Sequence, residues 1–296
     1  GAIQQILYRP FDIKWIFYHD AVVERSRKQV MCQMMNKNLG LITNRHIRMK
    51  KIQHTWVASI PVDYHIIETA SANAYLFPLY LYPEKNIQKQ PSIRNLMLFE
   101  PQADYGTRKA NLSPVIIEQL TKSFKKTPSP EQIFFYIYAV LYSNIYRTKY
   151  AEFLKIDFPR IPFTKDYKLF SKMSEHGERL VDLHLLKSPE LDPPVTKFQG
   201  KGDNRVEKLQ YDRSQLFINK DQYFEGMEPE VFEYQIGGYQ VCEKWLKDIK
   251  DRKLSLDDIK HYCNVVTAIQ KTIKIQKVID DIYPKVEDDT RLVLSK

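Results

Sequence analysis

The side chains best suited to chemistry in this 296-residue chain are cations and amides gathered near its start. Asn44-Arg45-His46-Ile47-Arg48-Met49-Lys50-Lys51 mixes hydrogen-bonding side chains with apolar ones. Arg and Lys pair with guanine edges and Asn or Gln with adenine, while further Lys and Arg hold phosphates. A strand or β-ribbon with this pattern can turn one face to a core and the other to a duplex. Asn44, Arg45, His46, Arg48, Lys50 and Lys51 are therefore candidate DNA contacts. Arg25-Ser26-Arg27-Lys28-Gln29, on a helix or loop, is the second candidate, with Arg25, Arg27 and Lys28 as its contacting groups. The loop over residues 201–213 ranks next. The competing explanation for any one of these side chains is an exposed cation with no partner.

Charge points the same way. Residues 1–54 hold ten Lys and Arg against Asp12, Asp20 and Glu24, so +7 of the net +9 sits there. A positive field concentrated in this way attracts polyanions and steers their approach.

Catalytic chemistry finds no comparable set of residues. The chain has no P-loop, GxGxxG, GxSxG or HExxH, and no convincing nuclease carboxylate–lysine cluster. Gly200-Lys201-Gly202 lies in a polar stretch with no strand expected before it, which a phosphate loop needs. Asp192-Pro193-Pro194-Val195 resembles the Asp/Asn-Pro-Pro-aromatic loop of amino-methyltransferases, but Val195 cannot stack on a flipped base. It is read as part of a proline-rich linker. Cys32, Cys242 and Cys263 are odd in number and lack CxxC spacing, which fits a reducing compartment rather than a disulfide framework or cysteine-rich zinc site. His176 and His184 have no third ligand close in sequence, and the histidines are read as surface or interfacial. No run nears the roughly 18 apolar residues of a membrane span, and the N-terminus is neither a signal nor a transit peptide. The chain opens on Gly1 rather than methionine, so further chain upstream is expected.

The elements that must position these groups follow from periodicity. Residues 13–18, 39–47, 55–60 and 75–82 are β-branched or aromatic runs that read as strands, with Pro78 at an edge or bulge. A polar loop is expected over 83–92. Helices should start at Ser113-Pro114 and at Ser129-Pro130-Glu131-Gln132, the latter with a capping box. The helix over 133–142 is apolar nearly all round and so buried. Thr164 is expected to cap another helix, weakened at Gly177, with Phe170, Met173, Leu180, Val181 and Leu185 on one face. Residues 187–204 read as a linker or long loop. Short strands follow at 206–211, 216–219 and 231–236, then a helix over 239–250 with Tyr239, Trp245 and Leu246 towards the core. A last helix runs from Ser255, boxed by Asp258, to about Tyr283, with a frayed acidic tail from Glu287. The fold class is α+β, strand-rich in its N-terminal third and helical beyond. The expected division is 1–187 for the basic β-rich part with its helices, and 188–296 for a part with short strands and two helices packed on the first.

Whole segments carry a resemblance. Tyr8-Arg9-Pro10-Phe11-Asp12-Ile13-Lys14-Trp15-Ile16-Phe17-Tyr18 and Phe77-Pro78-Leu79-Tyr80-Leu81-Tyr82 resemble the region that follows the methyltransferase domain in type ISP restriction–modification enzymes. So do Phe135-Tyr136-Ile137-Tyr138-Ala139-Val140-Leu141-Tyr142-Ser143 with Tyr146-Arg147, and Tyr150-Ala151-Glu152-Phe153-Leu154-Lys155-Ile156-Asp157-Phe158-Pro159-Arg160-Ile161-Pro162. Ile236-Gly237-Gly238-Tyr239-Gln240-Val241-Cys242-Glu243-Lys244-Trp245-Leu246-Lys247-Asp248 completes the set. Together they span residues 8–283, and the last two are long and specific. The resemblance implies a target-recognition region for double-stranded DNA with no catalytic site, cofactor or metal of its own. S-adenosylmethionine, ATP and Mg would belong to upstream adenine-N6 methyltransferase and helicase or nuclease domains of the same polypeptide, in a bacterial cytoplasm without a membrane partner. The alternative is a scaffold that docks those domains without reading bases. Phe158-Pro159-Arg160-Ile161-Pro162 reads as a rigid structural join, with Arg160 in a salt bridge.

Overall fold

The computed structural model describes residues 2–46, 54–67, 74–83 and 108–294. The candidate contacts Arg48, Lys50 and Lys51 lie outside them, as do Ile47 and most of the expected loop at 83–92.

The first aromatic run forms its strand. β1 (Ala2–Arg9) and β2 (Asp12–Tyr18) make an antiparallel hairpin, rooted in the core through Leu7 and Phe11. α1 (Lys28–Met34) leads to a sheet of β3 (Gly40–Asn44), β4 (Thr55–Ala58) and β5 (Ala74–Pro78), with β3 in the centre. Pro78 ends the edge strand β5, as a residue unable to donate to the ladder must. β6 (Tyr80–Leu81) then pairs with β7 (Lys109–Ala110).

Helices take over from α2 (Pro114–Phe124) to α3 (Pro130–Tyr142), α4 (Asn144–Lys149), α5 (Ala151–Ile156) and α6 (Tyr167–His184). The capping box at Ser129 forms as expected, the Ser129 hydroxyl accepting from Gln132 N at 3.1 Å and Gln132 Oε1 accepting from Ser129 N at 3.0 Å. Asp166, not Thr164, caps α6, because the Thr164 hydroxyl donates to Asp289 instead. Gly177 does not break α6. It lets α6 approach α3 so closely that a Cβ there would lie 1.8 Å from the Phe135 carbonyl oxygen.

The expected linker is largely built into the fold. It holds a 3₁₀ turn at Pro189–Leu191 and β8 (Lys197–Gly200), so a strand does precede Lys201. β8 joins β9 (Gln210–Asp212), β10 (Gln215–Phe217) and β11 (Gln222–Glu225) in the order β8-β11-β10-β9. Part of the strand expected at 231–236 is α7 (Pro229–Phe232), started by proline at its first position; β12 (Gln235–Ile236) pairs with β13 (Tyr239–Gln240) across the two glycines. Tyr239 is thus in a strand, ahead of α8 (Val241–Asp248).

α9 (Leu256–Leu294) starts at the expected Ser255–Asp258 box but runs on through Pro284. The acidic tail is gripped rather than frayed. Glu287 accepts from Tyr150 Oη at 2.6 Å and pairs with Lys149 at 2.5 Å, and Asp289 accepts from the backbone of Lys165 and Asp166. These contacts offset the helix-interior cost of proline, about 3 kcal/mol. Core residues from β1 to α9 form one apolar cluster.

That cluster encloses polar groups as well. His184, expected at a surface, is buried, stacked on Trp56 and hydrogen-bonded to Tyr138 Oη at 2.7 Å and Thr272 Oγ1 at 2.9 Å. His54 is buried too. Nearby, Arg147 lies 4.6 Å from the centre of the Tyr142 ring and donates through Nε to the Leu141 carbonyl at 2.6 Å. Burial first, then the Arg147 charge, pushes His184 down to about 3 and His54 to about 4, from an ordinary 6.5.

Two outcomes follow. Gly177→Ala should destabilise the fold by about 1–3 kcal/mol in urea unfolding, since backbone rather than a flexible side chain must move. Unfolding frees both histidines to titrate near 6.5, so below that pH the unfolded chain binds more protons than the folded one. Stability should be flat above about pH 7, then fall by about 1.4 kcal/mol per pH unit for each histidine down to about pH 4. His184→Gln should remove its own share, about 1.4 kcal/mol per pH unit, of the slope in urea unfolding at pH 4–6, leaving the shares of His54 and of His176 and His261, which burial also shifts down. An unchanged slope would show that other groups set the acid sensitivity.

Candidate nucleic-acid interface

β3 owes its place to its composition. Gly40-Leu41-Ile42-Thr43-Asn44 is buried along almost its whole length, as a central strand covered on both faces. The alternation expected of a half-exposed strand is therefore absent there. Asn44, a candidate base reader, is 1% exposed and engaged inside the fold. The chain reaches solvent only at Arg45 and His46, just past the strand.

Arg45 is held by a segment distant in sequence. Its Nε donates to Asp157 at 3.2 Å, and its guanidinium carbon lies 5.8 Å from the centre of the Phe158 ring. Phe158 in turn packs edge-on against Tyr75 and Phe77 of β5, at 5.0 and 5.5 Å. The backbone N–H of Phe158 and then the Arg45 guanidinium keep the Asp157 carboxyl below its ordinary value. Asp157 and Phe158 belong to the rigid proline-bearing join between α5 and α6. Its structural role was legible in its prolines; its neighbour was not. Arg160 of the same join is exposed, and its carbonyl accepts from Tyr146 Oη at 2.9 Å.

The second candidate segment lies at the start of α1. Arg25, Arg27 and Lys28 are all exposed. Arg27 has a left-handed φ of 45°. Arg25 lies 3.8 Å from Glu24, and Lys28 pairs with Asp20. Each ion pair here is solvent-exposed and of the kind worth about 0–1 kcal/mol, so a phosphate can displace the carboxylate at small cost. No hydrogen bond or ion pair between described residues joins this segment to Arg45.

The described residues include no group of three His, Cys, Asp or Glu able to hold a metal, and no helix long and apolar enough to cross a membrane.

Comparison with known proteins completes the description. A profile described as Type ISP C-terminal specificity domain matches residues 1–278. No curated protein matches the chain. Among solved structures, the fold is similar to a nuclease-deletion mutant of the Type ISP restriction-modification enzyme LlaGI in complex with a DNA substrate mimic. That match has a TM-score of 0.66 at 21% identity and covers 93% of this chain and 24% of that one. The ATP-dependent Type ISP restriction-modification enzyme LlaBIII bound to DNA matches with a TM-score of 0.70 at 19% identity, over 93% of this chain and 18% of that one. A DrdV–DNA complex matches with a TM-score of 0.71 at 19% identity, over 92% and 28% respectively. At these identities the likeness is one of fold. The chain spans between 18% and 28% of the length of these proteins.

Proposed function

The chain belongs to the Type ISP C-terminal specificity domain family, and on that premise we propose that it recognises double-stranded DNA as the target-specificity module of a larger restriction–modification enzyme. The observation that carries this is Arg45 with His46, presented to solvent at the end of a buried central strand and braced from behind by Asp157 and Phe158. The Arg45–Asp157 pair is itself half-exposed, so a base edge can displace the carboxylate at small cost and take the guanidinium where it lies beside the Phe158 ring. Arg25, Arg27 and Lys28, with their weak exposed pairs, hold phosphates. Arg48, Lys50 and Lys51, outside the described residues, follow Arg45 in sequence and are proposed with it as DNA contacts. Asn44, buried, is not among the reading groups.

Adenine-N6 methylation, ATP use and DNA cleavage belong in this proposal to other domains, which bind S-adenosylmethionine, ATP and Mg. The solved enzymes that share the fold are described as bound to DNA or to a DNA mimic, and the proposal carries that partner over to this chain. Its place is the bacterial cytoplasm.

A docking role is the second reading, and one observation favours it. The β1–β2 hairpin exposes Ile3, Ile13, Trp15 and Phe17, which are 70%, 51%, 68% and 49% accessible. An apolar ribbon with a tryptophan suits contact with a protein domain better than with a phosphate backbone. The scaffold reading makes this the chain's main surface, whereas the DNA reading makes it a join to neighbouring domains.

Duplex binding separates them. Affinity should fall with salt at a slope of about −0.9 per phosphate contact, over about 5–8 contacts. Arg45→Ala should cost about 1–3 kcal/mol on the cognate site and much less on unrelated duplexes, whereas Lys28→Ala should weaken all duplexes alike and shorten the slope by about one contact. The cognate site comes from mapping methylated adenines in the source genome. A flat salt dependence removes the electrostatic argument. Equal losses on all duplexes for Arg45→Ala would demote it to a backbone contact.

A further inference from the structure

The second basic surface of the chain is assembled from three segments that are separate in sequence. The register of the four-stranded sheet pairs Gly200 with Gln222, and Phe217 with both Tyr223 and Gln210. The β8–β9 connection and the β10–β11 turn therefore emerge at the same end of the sheet. The α8–α9 connection is laced to them. Val206 N donates to Arg252 O at 2.9 Å, Asp251 N to Val206 O at 2.8 Å, and Leu254 N to Asn204 O at 2.9 Å. Residues 201–208, 219–221 and 250–253 thus share one edge, and together they carry seven Lys and Arg against four Asp and Glu.

The amides at this edge are occupied. Gln222, 2% exposed, accepts at Oε1 from Asn204 N and Asn219 Nδ2, at 2.8 and 3.1 Å, and donates to Asn204 Oδ1 at 2.7 Å. Asn219 Nδ2 also donates to Arg205 O at 2.9 Å, while its Oδ1 accepts from Asp221 N and Gln222 N. These three side chains cannot read bases, because their donors and acceptors are committed to holding the loops. The two arginines are engaged, Arg205 donating to the Asp251 carbonyl at 3.0 Å and Arg252 lying 3.9 Å from Asp258, but most of the lysines are not. Arg205 and Lys253 share the one carboxylate of Asp203, at 3.7 and 3.1 Å. Lys201, Lys208, Lys220 and Lys250 are exposed, and no described carboxylate lies within ion-pair distance of them.

We propose that this edge is a rigid cationic platform that holds the phosphate backbone of DNA without reading sequence, a second contact apart from the Arg45 segment. Lysine acts as a point charge on phosphate. With the adenine-reading amides committed and the two guanine-reading arginines engaged, Arg205 by Asp203 and the Asp251 carbonyl and Arg252 by Asp258, the free lysines are left to position a duplex rather than to discriminate among sequences. A fixed platform also loses less freedom on binding than lysines on a mobile loop. An acidic protein surface is the other partner that seven cations could attract. DNA is favoured because the chain's proposed partner is already a polyanion, and the inference rests on that reading.

The test compares two triple variants of the full chain with equal net charge. Lys201→Gln, Lys208→Gln and Lys220→Gln remove the platform; Lys122→Gln, Lys125→Gln and Lys274→Gln remove exposed lysines elsewhere. All six side chains are exposed, and circular dichroism of both variants should match the wild-type spectrum. The platform variant should shorten the salt slope by about 0.9 per lost contact, on cognate and unrelated duplexes alike, with discrimination between them unchanged. The control variant should keep the wild-type slope. Equal slopes for the two variants would reduce the effect to net charge and overturn the platform. Wild-type binding by the platform variant would overturn it too and turn attention to an acidic protein partner. If the wild-type chain binds no duplex even at low salt, the DNA reading itself fails, and the platform with it.

Discussion

Three carboxylates on the last helix hold the segment from Ser143 to Asp166 in place. Asp280 accepts from Ser143 Oγ at 2.8 Å, Asn144 Nδ2 at 2.9 Å and Ile145 N at 3.3 Å, all at the start of α4. Glu287 takes Tyr150 and Lys149 where α4 meets α5, and Asp289 takes the backbone just ahead of α6. Acidic groups at helix N-termini meet the unpaired N–H groups and the positive end of the helix dipole. Ser143 and Asp166 cap α4 and α6 themselves; α9 adds acceptors beside those caps from a distance and ties down the segment from Ser143 to Asp166.

The candidate interface depends on that segment. Asp157 and Phe158 sit within it, and they are what braces Arg45 against the edge of β5. A helix that ends far from the basic N-terminal third in sequence therefore sets the position of its best-placed cation. The core beneath is demanding in another way. Arg147 and two neutral histidines are buried among tyrosines, and a buried cation tolerates few alternative packings around it. An interior of this kind suits a rigid part that presents surfaces rather than one that moves during a reaction.

What could be read in advance was local. The capping boxes at Ser129 and Ser255 formed because each needs only residues three apart. The buried helix α3 and the edge position of Pro78 followed from composition alone. What could not be read was set by partners distant in sequence. Pro284 signals a helix end, yet α9 continues because Glu287 and Asp289 have donors waiting on other elements. Thr164 looks like a cap until Asp289 claims its hydroxyl. Asn44 shows the same limit at the candidate site: its type suits adenine, but whether β3 lies at the centre or edge of its sheet is decided by β4 and β5. Arg45 was legible as a cation, whereas its bracing by Asp157, 112 residues later, was not.

Hydrogen–deuterium exchange of the full chain, with and without cognate duplex, tests the central claim that DNA lies on the basic N-terminal surface. The account predicts slower exchange in residues 20–29 and 45–54 when duplex is bound, with the amides of α3 and of α9 up to Tyr283 unchanged. Saturating duplex that leaves both N-terminal segments exchanging as in the free chain would contradict it.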